Sequence, residues 1–438
     1  MTADTRPRRT EAEEEIASAY VASRKRFPGD GRVRAARDAA FSHFEHAGLP
    51  NRRVEAWKYT DLRAQMRSFA PLAPDTESHV GTASDPIGAL DRARAIIANG
   101  RYRPEQSDLA GLDGVTVEAL SDVLASAPER VGRLFDDGDD VVMALNTALM
   151  LGGVVVTVAP DARPSRPLEL VYRTIGDTPI TVASRAVVSV GANASVRMVE
   201  SHAGPDGLAY QVNTLTELDM DHGARVAWAR VQVESEAAQH LGSFVARMGR
   251  DTTLNHLSVN RGAALARWQA AVHVGGSGAS AGFSAATMLS ETEHSDNSLV
   301  VRHTAPHSVS NELFKNVVDD QATGAFQGMI AVDQEAQKTD AKMMTQALLL
   351  SNEAQFASKP ELEIFADDVR CGHGATAGEI DPSMLFYLMS RGLPPAEAER
   401  LLIEAFLDDA IDALGDDAIG DALKGIVAGW LARRGAVA

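Results

Sequence analysis

Residues 181–190, TVASRAVVSV, run into GANAS (191–195), and QVNTLTELDM (211–220) runs into DHGAR (221–225). The pattern returns with Met248 before GRDTT (249–253), Val274 before GGSGA (275–279) and Val301 before RHTAP (302–306). The residues that precede the turns therefore stand 30, 28, 26 and 27 positions apart. Each unit is strand, turn, strand, with β-branched runs punctuated by Gly, Asn, Asp and Ser. One unit alone buries no apolar face, whereas units stacked side by side bury a continuous core. That logic serves solenoids and sandwiches alike. Regular spacing with only 5% Phe, Trp and Tyr favours a solenoid such as a parallel β-helix over a jelly roll or sandwich.

Upstream of the repeats, Val141 to Pro160 (VVMALNTALMLGGVVVTVAP) has the apolarity of a membrane span. Asn146, Gly152-Gly153 and the β-branched Val154-Val155-Val156 interrupt it, so a buried helix begun near Asp140 and ended at the glycines, then a buried strand, is expected. Residues 1–68 are helical in character, with EAEEEIASAYVASRKRF placing Ile16 and Tyr20 on one stripe and a second helix closed by Gly48 and Pro50. The aromatic segment Arg53 to Leu62 follows, unexplained by periodicity, and residues 69–90 read as a linker or loop. Beyond about residue 365 the chain returns to helix. Pro394-Pro395 opens one that carries Leu401, Leu402, Ala405, Phe406 and Ile411 on one side, Gly415 breaks it, and a last helix carries Ile419, Leu423, Val427 and Trp430. The acidic run Asp408 to Asp421 in this tail reads first as a solvated face and second as a docking surface for a basic partner.

Composition narrows the function. The chain has 438 residues, 45% of them hydrophobic, which excludes wholesale disorder. With 42 Lys+Arg against 60 Asp+Glu the net charge is −18, which argues against nucleic-acid binding. One cysteine excludes a disulfide framework and a self-contained four-Cys metal site. Acidic residues follow the basic N-terminus where a signal peptide needs an apolar run, so a soluble, cytoplasmic protein is expected. P-loop, nucleophile-elbow and zincin motifs are absent from the sequence, and Gly275 to Gly278 lacks the strand-to-helix context of a dinucleotide fingerprint, so no enzymatic activity is expected.

The segment Asp367 to Thr376, DDVRCGHGAT, is where chemistry could reside. The single thiol, Cys371, lies two positions from His373. In an extended strand those side chains share a face and can converge on one ion, and flanking glycines admit a partner's backbone. Thiolate and imidazole suit iron, zinc or an iron–sulfur cluster, but two ligands do not close a tetrahedral site, so further donors would come from elsewhere, most naturally another subunit. The alternative is a buried inert cysteine beside a structural histidine. His303 and His307 form a second, weaker candidate pair.

Several ordered pieces resemble the SufB/SufD family of iron–sulfur cluster assembly proteins: SNELFKNVVDD (310–320), GAFQGMI (324–330), AQKTDA (336–341), LLLS (348–351), KPELEI (359–364) and DDVRCGHGAT (367–376), with LNTA (145–148) and Gly152-Gly153-Val154 upstream. Within it, EAWKYTDL (55–62), the chain length and a β core without cysteine resemble the SufD branch rather than SufB; Gly372 stands where Ser is commoner. The resemblance implies an N-terminal helical domain (1–140), a right-handed parallel β-helix core (141–366) and a C-terminal helical domain (367–438). It implies a non-catalytic scaffold that pairs with SufB through the β-helix and docks the SufC ATPase on the C-terminal helices, usually one SufB, one SufD and two SufC. Leu401, Leu402, Phe406 and Ile411 are the expected SufC contacts. His373, with Cys371 as the less secure second ligand, would hold a transient cluster or iron shared with SufB, none being bound permanently by the isolated chain. A SufB-like homodimeric scaffold and a carbohydrate-active β-helix enzyme are the alternatives; the latter would need repeated acid or base clusters on one face.

Overall fold

The computed structural model describes residues 9–75, 85–134 and 140–437; the middle of the expected 69–90 linker lies outside them, as do the first eight residues of the N-terminus. Eight helices are described: α1 (Glu11–Ser23), α2 (Gly31–Ala47), α3 (Leu62–Gln65), α4 (Leu120–Ser126), α5 (Val141–Leu149), α6 (Pro382–Ser390), α7 (Pro395–Asp412) and α8 (Asp417–Val437). The early strands are β1 (Ala93–Ala98), β2 (Arg101–Tyr102), β3 (Val115–Ala119), β4 (Gly152–Val158) and β5 (Leu168–Arg173). The regular series is β6 (Thr181–Val190), β7 (Ser195–Ala203), β8 (Gln211–Met220), β9 (Arg225–Val233), β10 (Gln239–Met248), β11 (Thr253–Arg261) and β12 (Leu265–Val274). It continues through β13 (Ser280–Leu289), β14 (His294–His303), β15 (Val309–Val318), β16 (Thr323–Val332), β17 (Asp340–Leu349), β18 (Gln355–Ile364) and β19 (Arg370–Gly378).

From β4 onward each strand pairs in parallel with the strand two places further on. From β4 onward odd-numbered strands build one sheet, ordered β19-β17-β15-β13-β11-β9-β7-β5-β1-β2 with β2 at its edge, and even-numbered strands the other, ordered β18-β16-β14-β12-β10-β8-β6-β4-β3 with β3 at its edge. This is a parallel β-solenoid of about eight two-strand rungs flanked by terminal helices. The turns read from sequence are the turns of the solenoid, with one correction. Val274 is in register with His303, so the fifth strand ends two residues beyond Val301. A two-residue offset keeps the same face, and inward His303 is the structural equivalent of Val274. The sheets begin before residue 141, at β1 to β3, and end after 366, at β19.

Strand alternation sorts the core. Inward side chains of both sheets, among them Trp228, Phe244, Trp268, Phe283, Phe314 and Phe326, form one continuous buried cluster. Outward residues are covered too. Val199, Ala229, Val231, Leu257, Val259, Ala286 and Met288 on the odd sheet lie under Ile403, Leu407, Ala410, Ile419 and Leu423 of α7 and α8. Ile180, Val182, Leu241 and Leu265 on the even sheet lie under α1, α2 and α5. Strands buried on both faces read as near-continuous apolar runs, which is why the Val141–Pro160 stretch mimicked a membrane span. It is helix α5, with the Asp140 carboxylate accepting from the Val142 and Met143 amides at 2.8 and 2.9 Å, followed by β4. No helix among the described residues is long and apolar enough to cross a membrane.

Close stacking requires glycine at two kinds of place. At Gly153 φ is +136°, and a Cβ would come 1.8 Å from the Arg185 carbonyl oxygen on the next rung. At Gly276 a Cβ would lie 2.1 Å from the Arg250 nitrogen on the rung before. Both contacts are with backbone, which cannot swing aside.

The interior is not wholly apolar. Near one corner His202 Nε2 donates to Glu200 at 2.6 Å, and Arg230 Nη2 donates to His240 Nε2 at 2.9 Å, leaving His240 Nδ1–H to donate to Glu234 at 2.7 Å. His256 instead is stacked between Trp268 and Phe283, and neither ring nitrogen has a partner. Burial pushes its imidazole from 6.5 down to about 3. Because the folded value lies below the unfolded one, the unfolded chain takes up this proton first as pH falls. The stability that depends on neutral His256 is complete above pH 6.5 and is lost progressively toward pH 3. His256→Phe is therefore expected to gain on the parent chain as pH falls through that window, by up to about 1.4 kcal/mol per pH unit. Denaturant melts at pH 7 and pH 4.5 measure it; an unchanged difference between variant and parent at the two pH values would contradict it.

Candidate functional site: the open end of the solenoid

The two ends of the solenoid differ. At the N-terminal end the edge strands are the two-residue β2 and the short antiparallel β3, which blunt the sheet edges. At the other end β18 and β19 are full-length strands of ten and nine residues, each paired on one side only and exposed or half-buried along its length. Each presents an unpaired row of backbone donors and acceptors.

Cys371 and His373 lie on β19, on the same face of it as expected. That face is the inward one: Cys371 is in register with Ala341 and His373 with Met343, both members of the interior cluster. The structure therefore sets both side chains at the mouth of the lumen, Cys371 half-buried against the core and His373 exposed. Burial raises the Cys371 thiol above its ordinary value; the Ala341 backbone opposes this, while Asp340 and Glu312 add to it. Among the described residues, no three His, Cys, Asp or Glu side chains are grouped so as to hold a metal ion.

His303 and His307 do not converge. His303 is buried, its Nδ1 and Nε2 hydrogen-bonded to the Ser308 and Ser310 hydroxyls at 2.8 and 3.0 Å, and His307 occupies a turn at φ +58°. On the C-terminal helices, Ile411 is 1% exposed in the cluster under the sheet and offers no docking contact. Phe406 packs on that cluster with the Lys315 ammonium 4.4 Å from its ring centroid, and Leu401 and Leu402 are half-buried. The inward stripe of α7 is Ala398, Ile403, Leu407 and Ala410 together with Ile411, one position round from the stripe chosen by sequence. The exposed apolar side chains are on α6, where Met384, Phe386, Tyr387 and Met389 are all exposed and no residue is buried. Several acids of the tail have structural partners: Asp409 pairs with Lys315 at 3.2 Å and Asp412 with Lys424 at 2.8 Å, while Asp416 accepts from the Ile419 amide at 3.0 Å.

The aromatic segment that periodicity left unexplained is a latch on the even sheet. Trp57 is buried with the Arg267 guanidinium 4.0 Å from its ring centroid, and that guanidinium pairs with buried Asp296 and donates to the Ala56 carbonyl at 2.7 Å. Thr60 donates to Asp296 at 2.5 Å and meets His294 Nε2 at 2.8 Å. Glu55 reaches the edge strand itself, through Lys359 on β18. These are contacts between residues some two to three hundred positions apart, invisible to any local pattern.

Comparison with known proteins agrees with this architecture. Residues 173–406 match the SufBD core domain of the SUF iron–sulfur cluster assembly system, and residues 30–170 match the SufBD N-terminal region. The chain belongs to the SufBD family. It is 31% identical to an iron–sulfur cluster assembly SufBD family protein of Synechocystis over 84% of each chain. It is 28% identical to the iron–sulfur cluster assembly protein SufD of Escherichia coli, over 85% of this chain and 87% of that one. SufD of Bacillus subtilis is 27% identical over 70% of this chain and 72% of its own.

Cys371 is the sole thiol, so its chemistry can be followed without interference. Since the thiolate is the nucleophile, a raised value slows alkylation at neutral pH. Iodoacetamide is expected to modify Cys371 more slowly than free cysteine at pH 7, with the rate still climbing above pH 9. Mass spectrometry against time gives the rates; a free-cysteine rate at pH 7 would mean an unperturbed, open thiol.

Proposed function

We propose that this chain is the SufD-type, non-catalytic scaffold subunit of the SUF machinery, pairing with SufB through the open end of its solenoid. The observation that carries this is the placement of both soft donors on an unpaired edge strand. A partner strand added to β18 or β19 satisfies the free backbone groups and continues the sheet, and it brings its own side chains to the lumen mouth. There Cys371 and His373 supply part of a ligand set and SufB the rest, so the nascent cluster or its iron is cargo shared across the interface. Such a role belongs to the cytoplasm, and a second copy of this chain is the fallback partner for the same edges when SufB is absent.

The C-terminal helices are the proposed dock for the SufC ATPase, and the exposed face of α6 replaces the stripe suggested by sequence. Met384, Phe386 and Met389 are exposed there while Leu385 and Leu388 are half-buried, so a charge at Phe386 acts on association and not on folding. Phe386→Asp is expected to weaken SufC association by roughly tenfold or more while leaving the melting temperature unchanged, because an uncompensated charge in an apolar contact costs several kcal/mol. Wild-type affinity of that variant, measured by titration calorimetry, would move the dock elsewhere.

The site itself is tested in the complex. His373→Ala removes one ligand from an exposed position, so subunits should assemble at unchanged stoichiometry while iron and sulfide per complex, measured anaerobically, fall sharply. Wild-type cluster content, or loss of the assembly, would assign His373 a packing role.

A further inference from the structure

Directly behind His373 the inward column of the odd sheet runs Met343 on β17, Glu312 on β15 and Phe283 on β13, each in register with the next. Glu312 is 1% exposed, and neither carboxylate oxygen has a hydrogen-bond partner. The Ser310 hydroxyl lies beside it and favours its charged form, and His303 Nε2 meets that same hydroxyl at 3.0 Å. A buried carboxylate without a partner is costly, and sheets offer apolar residues that would pack better in its place. One strand nearer the mouth, the inward Thr345 hydroxyl, in register with Ala375 of β19, is likewise buried and without a partner. Successive strands lie about 4.8 Å apart, which sets the Glu312 backbone about 10 Å behind that of His373.

We propose that Glu312 is an inner cation station of the same site: an oxygen donor that, with Thr345 and retained water, holds a divalent cation of the ferrous class behind the Cys371–His373 mouth. The proposal rests on the reading of the open end as the site of cluster building, and it assigns that site a hard, oxygen-lined half to complement the soft sulfur–nitrogen half. Carboxylate and hydroxyl oxygens suit a hydrated divalent ion, whereas thiolate and imidazole suit iron once sulfide is present. With only Glu312 and Thr345 offered by the protein, water completes the shell. Met343 is the side chain between station and mouth, and as an unbranched thioether with three rotatable bonds it can move aside for the ion without a backbone change. Burial pushes the Glu312 carboxyl up to about 8, with Ser310 opposing.

The test uses the full-length chain under anaerobic conditions with Mn2+ as a redox-silent probe, following the free-ion EPR signal, and repeats the titration with Fe2+. The wild-type chain should bind one ion, Glu312→Gln should bind roughly tenfold or more weakly, and Glu312→Asp should fall between them. Glu312→Gln loses a buried carboxyl and should fold at least as stably, which a thermal melt verifies. Equal binding by wild type and Glu312→Gln, or no binding by wild type, overturns the station. Ion binding by a chain that does not associate with SUF partners would remove the proposed function and leave the station standing. Normal cluster content in a Glu312→Gln complex would remove the station and leave the function.

Discussion

Rung-on-rung register is the constraint on which everything else depends. From β6 to β17 every strand takes its backbone partners from the strand two places before and the strand two places after, so side chains line up in columns along the axis. A column fixes which residue lies behind which over the whole length of the molecule, and a one-residue slip would turn each inward set outward. Phe283, Glu312, Met343 and His373 share a column for that reason alone, although they are spread over β13 to β19. The same rule forbids a clean finish, since the last strand of each sheet always has one free edge.

The two ends of the chain handle that problem differently. The N-terminal end folds back on itself through antiparallel β2 and β3, while the C-terminal end leaves β18 and β19 whole and turns away into helix. The terminal helices meanwhile cover the outer faces of the two sheets, α1, α2 and α5 on one and α7 and α8 on the other. Covered faces and one uncovered end leave the edges of β18 and β19 as the place where backbone groups are free to pair. The latch Glu55 to Thr60 extends this cover to the edge strand, joining the N-terminal region to the surface that a partner would meet.

On the proposed reading, the donor set at that end is completed by a partner. Cys371 and His373 are placed where a solenoid ends, Cys371 half-buried and His373 exposed, with buried polar Glu312 and Thr345 among the otherwise apolar residues behind them. Unlike the Glu200–His202 and Glu234–His240–Arg230 contacts deeper in, which pair their members, Glu312 carries its oxygens unmatched. Paired buried charges hold a structure together; an unpaired one is a demand for something from outside.

The repeat of β-branched runs and glycine-bearing turns determined the solenoid, because turn chemistry and strand alternation are local and each rung repeats them. The helix–strand break at Asp140 and Gly152-Gly153 and the shared face of Cys371 and His373 were legible for the same reason, as capping and two-residue alternation need no distant partner. The exact turn after β14 was not, since His303 and Val301 share a face and only register tells them apart. Nor was the buried stripe of α7: with apolar residues at 401, 402, 403, 406, 407 and 411, several faces are plausible until the sheet beneath selects Ile403, Leu407 and Ile411. The latch of Trp57 on Arg267 and the isolation of Glu312 lay further still from the sequence, because both depend on residues brought together across distant strands. Sequence determined the elements and their period; tertiary structure decided which face each one buries and which edge is left open, because burial and pairing are properties of neighbours that only the folded chain supplies.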